Sequence, residues 1–196
     1  MIRIILLSFL LTLISSNTMA QGAGVVKGFD GGMMLHTGFV KGEFPQLAHT
    51  VSGMPFGIGG VIRVHLGEHW RVGSEGYVST LQQANNGSYV KYGWGGLLGD
   101  VYWRFGCFMP YAGLMIGGGA NTNLLIKGNS VSAWEPVENT YFNKQAFLAI
   151  DPFIGCDYIV SEAFHLTLKA DWLNCINGKC RIPSGPRLYV GFIFYH

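Results

Sequence analysis

Apolar and polar side chains alternate along most of this chain. The clearest stretch is 164–173, FHLTLKADWL, where Phe164, Leu166 and Leu168 fall on one face and polar residues fall between them. Strict alternation over ten residues predicts a β-strand with one apolar and one polar face. The same pattern recurs along the sequence and predicts eight strands, at about residues 31–39, 56–66, 70–78, 89–105, 111–119, 146–158, 164–173 and 187–196.

The connections between these strands alternate between short and long. The short ones are 67–69, 106–109 and 159–163, and the long ones are 40–54, 81–87, 120–144 and 174–186. Outer-membrane barrels have this rhythm, with short periplasmic turns and longer extracellular loops. The pattern therefore predicts an all-β fold, an eight-stranded antiparallel up-and-down transmembrane β-barrel. A soluble lipocalin-like barrel is the alternative, but it would turn its apolar face inward.

Aromatic residues mark both ends of the apolar face, as the interfacial girdles of membrane barrels do. At the end with long loops they are Phe39, Phe56 and Trp172. At the end with short turns they are Trp70, Trp103, Phe105, Tyr158, Phe164, Phe192 and Phe194.

The first twenty residues predict a secretory signal peptide. Arg3 precedes an eleven-residue apolar stretch at 4–14, and small residues follow at the expected cleavage site after Ala20. This stretch is too short for a spanning helix, although an uncleaved anchor is the alternative. We therefore expect residues 21–196 to form the barrel domain. No later stretch reaches 18 consecutive apolar residues, so the sequence indicates no further membrane helix.

Composition supports a membrane barrel and argues against other classes. Apolar residues make up 49% of the chain and charged residues only 12%, whereas about 25% is usual. The 29 glycines are expected to allow tight strand curvature and to make room for large lumen side chains. The formal net charge of +2 does not indicate a nucleic-acid partner.

The signal segment, the strand rhythm and the alternating last strand, RLYVGFIFYH, together resemble a known group. It is the small eight-stranded outer-membrane barrels, of the type of the transmembrane domain of outer membrane protein A. The resemblance covers about the whole mature chain. It implies an outer-membrane location, contact with outer-membrane lipids, insertion by the barrel-assembly machinery and a lumen too narrow for a porin. Members include adhesins, stabilisers and lipid-modifying enzymes, so no single activity is implied. The chain departs from the group by ending in Tyr195-His196 instead of a terminal aromatic.

The polar face of the strands predicts a charged lumen. Folding about the short turns sets Asp157 beside His165, Asp151 diagonal to Lys169, and Arg63 diagonal to Glu75. Because buried charges persist only when paired, a self-neutralising plug is the favoured interpretation. An acid/base or ion-path site is the alternative, and Asp151, Asp171 and His165 would form it. The predicted polar network comprises Arg63, Glu75, Asp100, Arg104, Asp151, Asp157, His165, Lys169 and Asp171, with His65, Arg71 and Arg187 on the same face.

Motifs for other chemistry are weak. The sequence has no G-x-S-x-G elbow, no phosphate-binding glycine loop and no metal-ligand spacing among its histidines. We therefore predict no catalytic residue, no cofactor and no metal. Cys175 and Cys180 flank four residues in the last long loop and could form a disulfide in an oxidising compartment, or remain two free thiols.

The longest connection, 120–144, is the best candidate for a contact surface. It contains Trp134 among several other apolar residues, and exposed apolar loops mark binding sites. The segment could equally cover the barrel mouth or extend two strands above the membrane. Two function classes follow. The first is a non-enzymatic barrel whose loops bind an extracellular protein or ligand, or which supports the envelope. The second is a membrane-embedded lipid-modifying or hydrolytic enzyme, and a pore is a weaker third.

Overall fold

The computed structural model describes residues 25–44, 49–82, 88–126, 140–176 and 184–196. These residues are almost entirely strand, and they contain no helix long and apolar enough to cross a membrane. The strands, in chain order, are β1 (Val26–Gly38), β2 (Val40–Phe44), β3 (His49–Gly53), β4 (Phe56–Leu66), β5 (Trp70–Gln82), β6 (Tyr89–Tyr102), β7 (Phe108–Ile126), β8 (Thr140–Ser161), β9 (Phe164–Trp172), β10 (Asn174–Cys175) and β11 (Pro186–Tyr195).

Eight of the described strands close into a barrel. Each of β1, β4, β5, β6, β7, β8, β9 and β11 is antiparallel to the next, and β11 returns to pair with β1. The closing register sets Leu35 opposite Val190 and Asp30 opposite Tyr195. The predicted all-β, eight-stranded antiparallel barrel is therefore confirmed. Closure matters because lipid offers no partner for an unpaired backbone group.

Two short elements lie at the long-loop end of this barrel. The β2–β3 hairpin occupies much of the predicted loop 40–54, with Val40 opposite Gly53. Strand β10 continues the β9 register along β8, with Asn174 opposite Ile150. The long connections are thus partly ordered sheet. The predicted signal peptide, 1–20, lies outside the described residues.

The hairpin of β7 and β8 is the longest in the molecule's described part. The two strands have 19 and 22 residues and pair as far as Ile126 opposite Thr140. Both ends of the predicted loop 120–144 therefore extend these strands, which was one of the interpretations left open by the sequence.

The two faces of the sheet separate apolar from charged side chains. Along β5, Trp70, Val72 and Val78 are exposed on the outer face, whereas Arg71 and Glu75 are buried in the lumen. On β9, Leu166 and Leu168 are each about half exposed and Lys169 is 2% exposed. This is the arrangement of a barrel in lipid and the inverse of a soluble barrel.

Glycines serve two purposes in this fold. Gly67 and Gly106 have φ values of 65° and 61° in the short turns, a conformation that other residues adopt at a cost. Gly57 and Gly155 face the lumen, where a Cβ would overlap the ring of His36 or of Tyr111. These lumen glycines therefore make the predicted room for large side chains.

We expect a charge on the outer face to destabilise the barrel. Leu168→Arg should lower the free energy of unfolding by about 2–4 kcal/mol, because arginine near the bilayer midplane loses its hydration. Urea unfolding in phospholipid vesicles measures the effect, and Lys144→Arg, which keeps the charge, is the control. Equal stability of Leu168→Arg and the native protein would contradict a lipid-facing β9.

Candidate functional site in the barrel lumen

The inward positions of the strands build two clusters of buried charge, stacked along the barrel axis. The lower cluster lies toward the short turns, and its residues belong to β1, β4, β5, β6 and β8. Every one of its ionisable side chains is at most 3% exposed. Its members are Asp30, Arg63, His65, Arg71, Asp100 and Asp157.

Short ion pairs hold the lower cluster together. Nε of Arg63 donates to Asp30 at 2.6 Å, and Nε of Arg71 donates to Asp100 at 2.6 Å. Nη1 of Arg71 also reaches Asp157 at 3.1 Å. His65 completes the cluster, since its Nε2 lies 2.6 Å from the second oxygen of Asp30. Asp30 thus bridges β1 to β4 within the lumen.

The upper cluster lies toward the long loops and consists of Glu75, Asp151, Lys169, Asp171, Arg187 and Tyr189. Nζ of Lys169 is 2.6 Å from Glu75, across the lumen from β9 to β5. Nε of Arg187 donates to Asp171 at 2.7 Å, and its Nη2 lies 3.4 Å from Asp151. Asp171 also accepts a hydrogen bond from the hydroxyl of Tyr189.

Aromatic rings surround the cations of both clusters. The guanidinium of Arg71 lies 4.9 Å from the ring centroid of Tyr102 and 4.8 Å from that of Tyr111. Arg187 lies 4.4 Å from the Trp94 ring, and Lys169 lies 4.3 Å from the Phe153 ring. Cation–π contacts strengthen when they are desolvated, so the rings compensate part of the hydration that the cations lose.

This arrangement places paired charge across the lumen at two levels. Each cluster sets three carboxylates against two cations, and His65 adds a titratable partner to the lower one. Burying a charge is tolerated only when partners and hydrogen bonds replace water. The geometry is therefore that of a cross-braced plug, which joins strands distant in sequence.

The predicted partners inside the lumen are partly wrong. Lys169 pairs with Glu75, whereas Asp151 contacts Arg187; the expected Asp151–Lys169 pair is not formed. Arg63 likewise pairs with Asp30 and not with Glu75. Lys169 and Glu75 meet across the narrow lumen, a contact that strand register alone does not reveal. Asp30, in contrast, lies directly opposite Arg63 in the β1–β4 register and was missed because it fell outside the predicted first strand.

The register between β8 and β9 also differs from the prediction. Asp157 lies opposite Thr167, and His165 lies opposite Ile159, so Asp157 and His165 are diagonal. A bulge between Ile159 and Ser161 and the turn that follows shift the pairing by two residues.

The structure does not assemble the alternative acid/base site. Asp151 and Asp171 share Arg187 in the upper cluster. His165 lies six residues from Asp171 on β9, which is about 20 Å of strand, and belongs to the lower end of the lumen. Arg104 is exposed beyond the end of β6 and joins neither cluster, although it was expected in the network. The reason is that β6 and its pairing with β7 end at Tyr102, so Arg104 lies past the lumen register.

Sequence reasoning missed Asp30, the residue that bridges Arg63 and His65. The predicted first strand began at Gly31, five residues after the observed start of β1 at Val26. The sequence did indicate its position, because Asp30 lies an even number of residues from Met34 and His36, whose side chains face the lumen. Trp94 was also not assigned to the lumen, where it packs on Arg187.

Two predicted loop features fall at the border of the described residues. Cys175 is disulfide-bonded, and its predicted partner Cys180 lies outside the described residues. Cys107 and Cys156 are free thiols. Trp134 also lies outside the described residues. Among the residues that are described, no group of three or more His, Cys, Asp or Glu could hold a metal ion.

We expect the Lys169–Glu75 pair to behave as a coupled unit. Lys169→Met should cost about 3–5 kcal/mol of unfolding free energy, because it leaves Glu75 charged and buried. Adding Glu75→Gln should recover most of that loss, whereas adding Asp151→Asn should not. Urea unfolding of the single and double variants in lipid vesicles measures the coupling. Equal recovery by the two second substitutions would show that the assigned pairing is wrong.

Comparison with known proteins finds solved structures with a similar fold, but no protein with a matching sequence. No protein-family model and no curated protein matches the sequence. Neisserial surface protein A is 12% identical with a TM-score of 0.59, covering 87% of this chain and 97% of that chain. OprG from Pseudomonas aeruginosa is 15% identical with a TM-score of 0.55, covering 86% and 95%. Ail of Yersinia pestis, in complex with the heparin analogue sucrose octasulfate, is 9% identical with a TM-score of 0.53, covering 87% and 99%.

These likenesses concern the fold, and the chain's own surfaces agree with them. The outer face is apolar along β4 and β9 and over most of β5, and the charges of the two clusters are enclosed. A surface of this kind is stable in contact with lipid and not with water. The chain therefore has the fold of the small eight-stranded outer-membrane barrels, and it is an integral outer-membrane protein in contact with membrane lipids.

Proposed function

We propose that this protein is a non-enzymatic outer-membrane barrel that presents its long extracellular loops to a protein or ligand outside the cell. The observation that carries the proposal is the contrast between the two parts of the molecule. The lumen is braced by ion pairs, such as Lys169–Glu75 at 2.6 Å, while the β7–β8 hairpin projects beyond the barrel.

The height of this hairpin follows from the register. Ala120 on β7 is the register partner of Gly93 on β6, which in turn pairs with Val78 on β5, and it lies near the upper end of the outer apolar face. Beyond Ala120, β7 continues for six residues to Ile126, which is about 20 Å of strand. The described ends of this hairpin, Ile126 and Thr140, thereby lie well above the membrane. The sequence between them contains Trp134, a residue type enriched at binding hot spots.

Other extracellular segments lie around the same rim. The β2–β3 hairpin is tied to the last loop by two backbone hydrogen bonds between Lys41 and Ser184. The disulfide at Cys175 adds a covalent constraint beside β10. Pre-ordered loops lose less entropy on binding, which favours recognition. The Ail structure, with sucrose octasulfate bound, supports the idea that a small barrel can bind an extracellular ligand.

We do not extend the proposal to catalysis or conduction. Asp151 and Asp171, the acids considered for an enzyme, both contact Arg187. The aromatic rings and ion pairs cross the described lumen at two levels, so the barrel serves as a rigid support. Insertion by the barrel-assembly machinery, with β11 as the segment recognised, is part of the same proposal.

We expect the β7–β8 tip to be dispensable for folding and required for binding. Replacing residues 127–139 with a four-residue Gly/Asn turn should preserve the heat-modifiable folded band, because strand pairing ends at Ile126 and Thr140. Binding to the ligands retained by the native protein on arrays of sulfated glycans and extracellular-matrix proteins should fall at least about tenfold. Trp134→Ala is the smaller version of the same change.

A matched control shortens a different connection, 83–87, which should leave that binding intact. The proposal would be contradicted if the native protein retained no ligand, or if the shortened β7–β8 variant bound as well as the native protein. Failure of that variant to fold would assign the segment a structural role instead.

A further inference from the structure

A row of polar side chains crosses the outer face of the barrel near its extracellular end. The hydrogen-bonded register places Thr80 of β5 beside Lys91 of β6, Lys91 beside Thr122 of β7, and Thr122 beside Lys144 of β8. Thr80 and both lysines are exposed, and Thr122 is partly exposed. The row therefore faces the surroundings of the barrel and not its lumen.

The row borders the apolar surface at Thr80 and Lys91, and strand tilt sets Thr122 and Lys144 progressively higher along the barrel axis. One step below it on the same face are Val78, Gly93, Ala120 and Ala146. Lys91 lies about 33 Å of strand above Val101, the neighbour of Trp70 in the opposite girdle, which corresponds to about 25 Å along the barrel axis after strand tilt. That height matches the apolar band of a membrane barrel, so Lys91 lies at the level of the outer-leaflet head groups.

An apolar groove of about 480 Å³ lies directly beside Lys91 on this outer face. Its lining is contributed by β4, β5 and the segment before β4, and Lys91 borders it together with Thr80 and Gln82. Phe56 and Met54 are 63% and 70% exposed there. The groove descends from the polar row to Ile58 and Val78, into the apolar band, which suits an acyl chain with its head group above.

The charges of the row lack partners among the described residues. Neither Lys91 nor Lys144 lies within 4 Å of a carboxylate there, whereas Lys27 at the opposite end pairs with Glu68. The two lysines are two strand spacings apart, or about 9.6 Å between backbones. Two cations at this distance, separated by a threonine hydroxyl, are complementary to a phosphate-bearing head group.

We propose that this face binds a phosphate-bearing lipid of the outer leaflet. Its phosphate groups lie at Lys91 and Lys144 and accept hydrogen bonds from Thr80 or Thr122. An acyl chain occupies the groove between Phe56, Ile58 and Val78. This site is on the outer wall of the barrel, so it is independent of the ligand proposed for the β7–β8 tip.

Native mass spectrometry of the folded protein in neutral detergent tests the proposal. Dimyristoyl phosphatidic acid is the probe, and dimyristoyl glycerol, which lacks the phosphate, is the comparison. We expect retention of the phosphatidic acid in preference to the glycerol. Lys91→Gln should weaken the binding about fivefold, and Lys91→Gln with Lys144→Gln more strongly, following about 1 kcal/mol for each lysine near an anionic lipid.

The control Lys27→Gln removes an exposed lysine at the opposite end and should leave the affinity unchanged. Val78→Trp, which fills the groove and keeps the lipid-facing character, should reduce retention of the phosphatidic acid. Each variant's folding is checked by heat-modifiable migration.

Three results would overturn the proposal. They are equal retention of the two lipids, equal weakening by Lys27→Gln and Lys91→Gln, and displacement of the bound lipid by inorganic phosphate alone at equal concentration. The last result would identify a free-anion site and not a lipid site. An unchanged affinity in Val78→Trp would overturn the assignment of the acyl chain to the groove.

Discussion

The structure depends on one constraint: within a bilayer, every backbone N–H and C=O must find its partner inside the protein. Pairing of β11 with β1 satisfies this by removing both edges of the sheet. Closure in turn separates the lipid outside from the lumen inside, and alternate residues along each strand face one or the other. Leu168 lies in lipid and Lys169 in the lumen because they are neighbours on β9. The apolar band, the charged interior and the alternating sequence are consequences of the same closure.

The interior shows how a narrow barrel tolerates many buried charges. Each cation has at least one carboxylate within 2.7 Å, and aromatic rings cover its remaining faces. The pairs join β1 to β4, β5 to β6 and β5 to β9, so they brace strands as well as neutralise charge. Lumen glycines complement them, since Gly57 and Gly155 allow large rings to lie flat against the wall. Removing one partner is therefore expected to cost far more than an exposed ion pair would.

The fold was predictable because the face to which a side chain points is determined by its position along its own strand. The parity of residues along 164–173 sufficed to assign Leu166 outward and Lys169 inward. Which side chains meet across the lumen is not determined by the local sequence. The Lys169–Glu75 contact depends on side chains that reach across the barrel, and the β8–β9 register depends on a bulge near Ile159 that alternation does not encode. Asp30 was missed for a different reason: the predicted first strand began at Gly31, five residues after the start of β1 at Val26.

The division of the molecule into three surfaces suggests where evolution can change function without loss of the fold. The lumen is constrained, since a change at Arg71 disturbs contacts with Asp100, Asp157 and two tyrosine rings at once. The outer wall is mostly apolar, except where the row containing Lys91 meets the head groups. The described pairing of β7 with β8 ends at Ile126 and Thr140, beyond the strand segments that close the barrel. New binding properties can therefore arise at the rim at little cost in stability, whereas a new activity in the lumen would require several ion pairs to be replaced together.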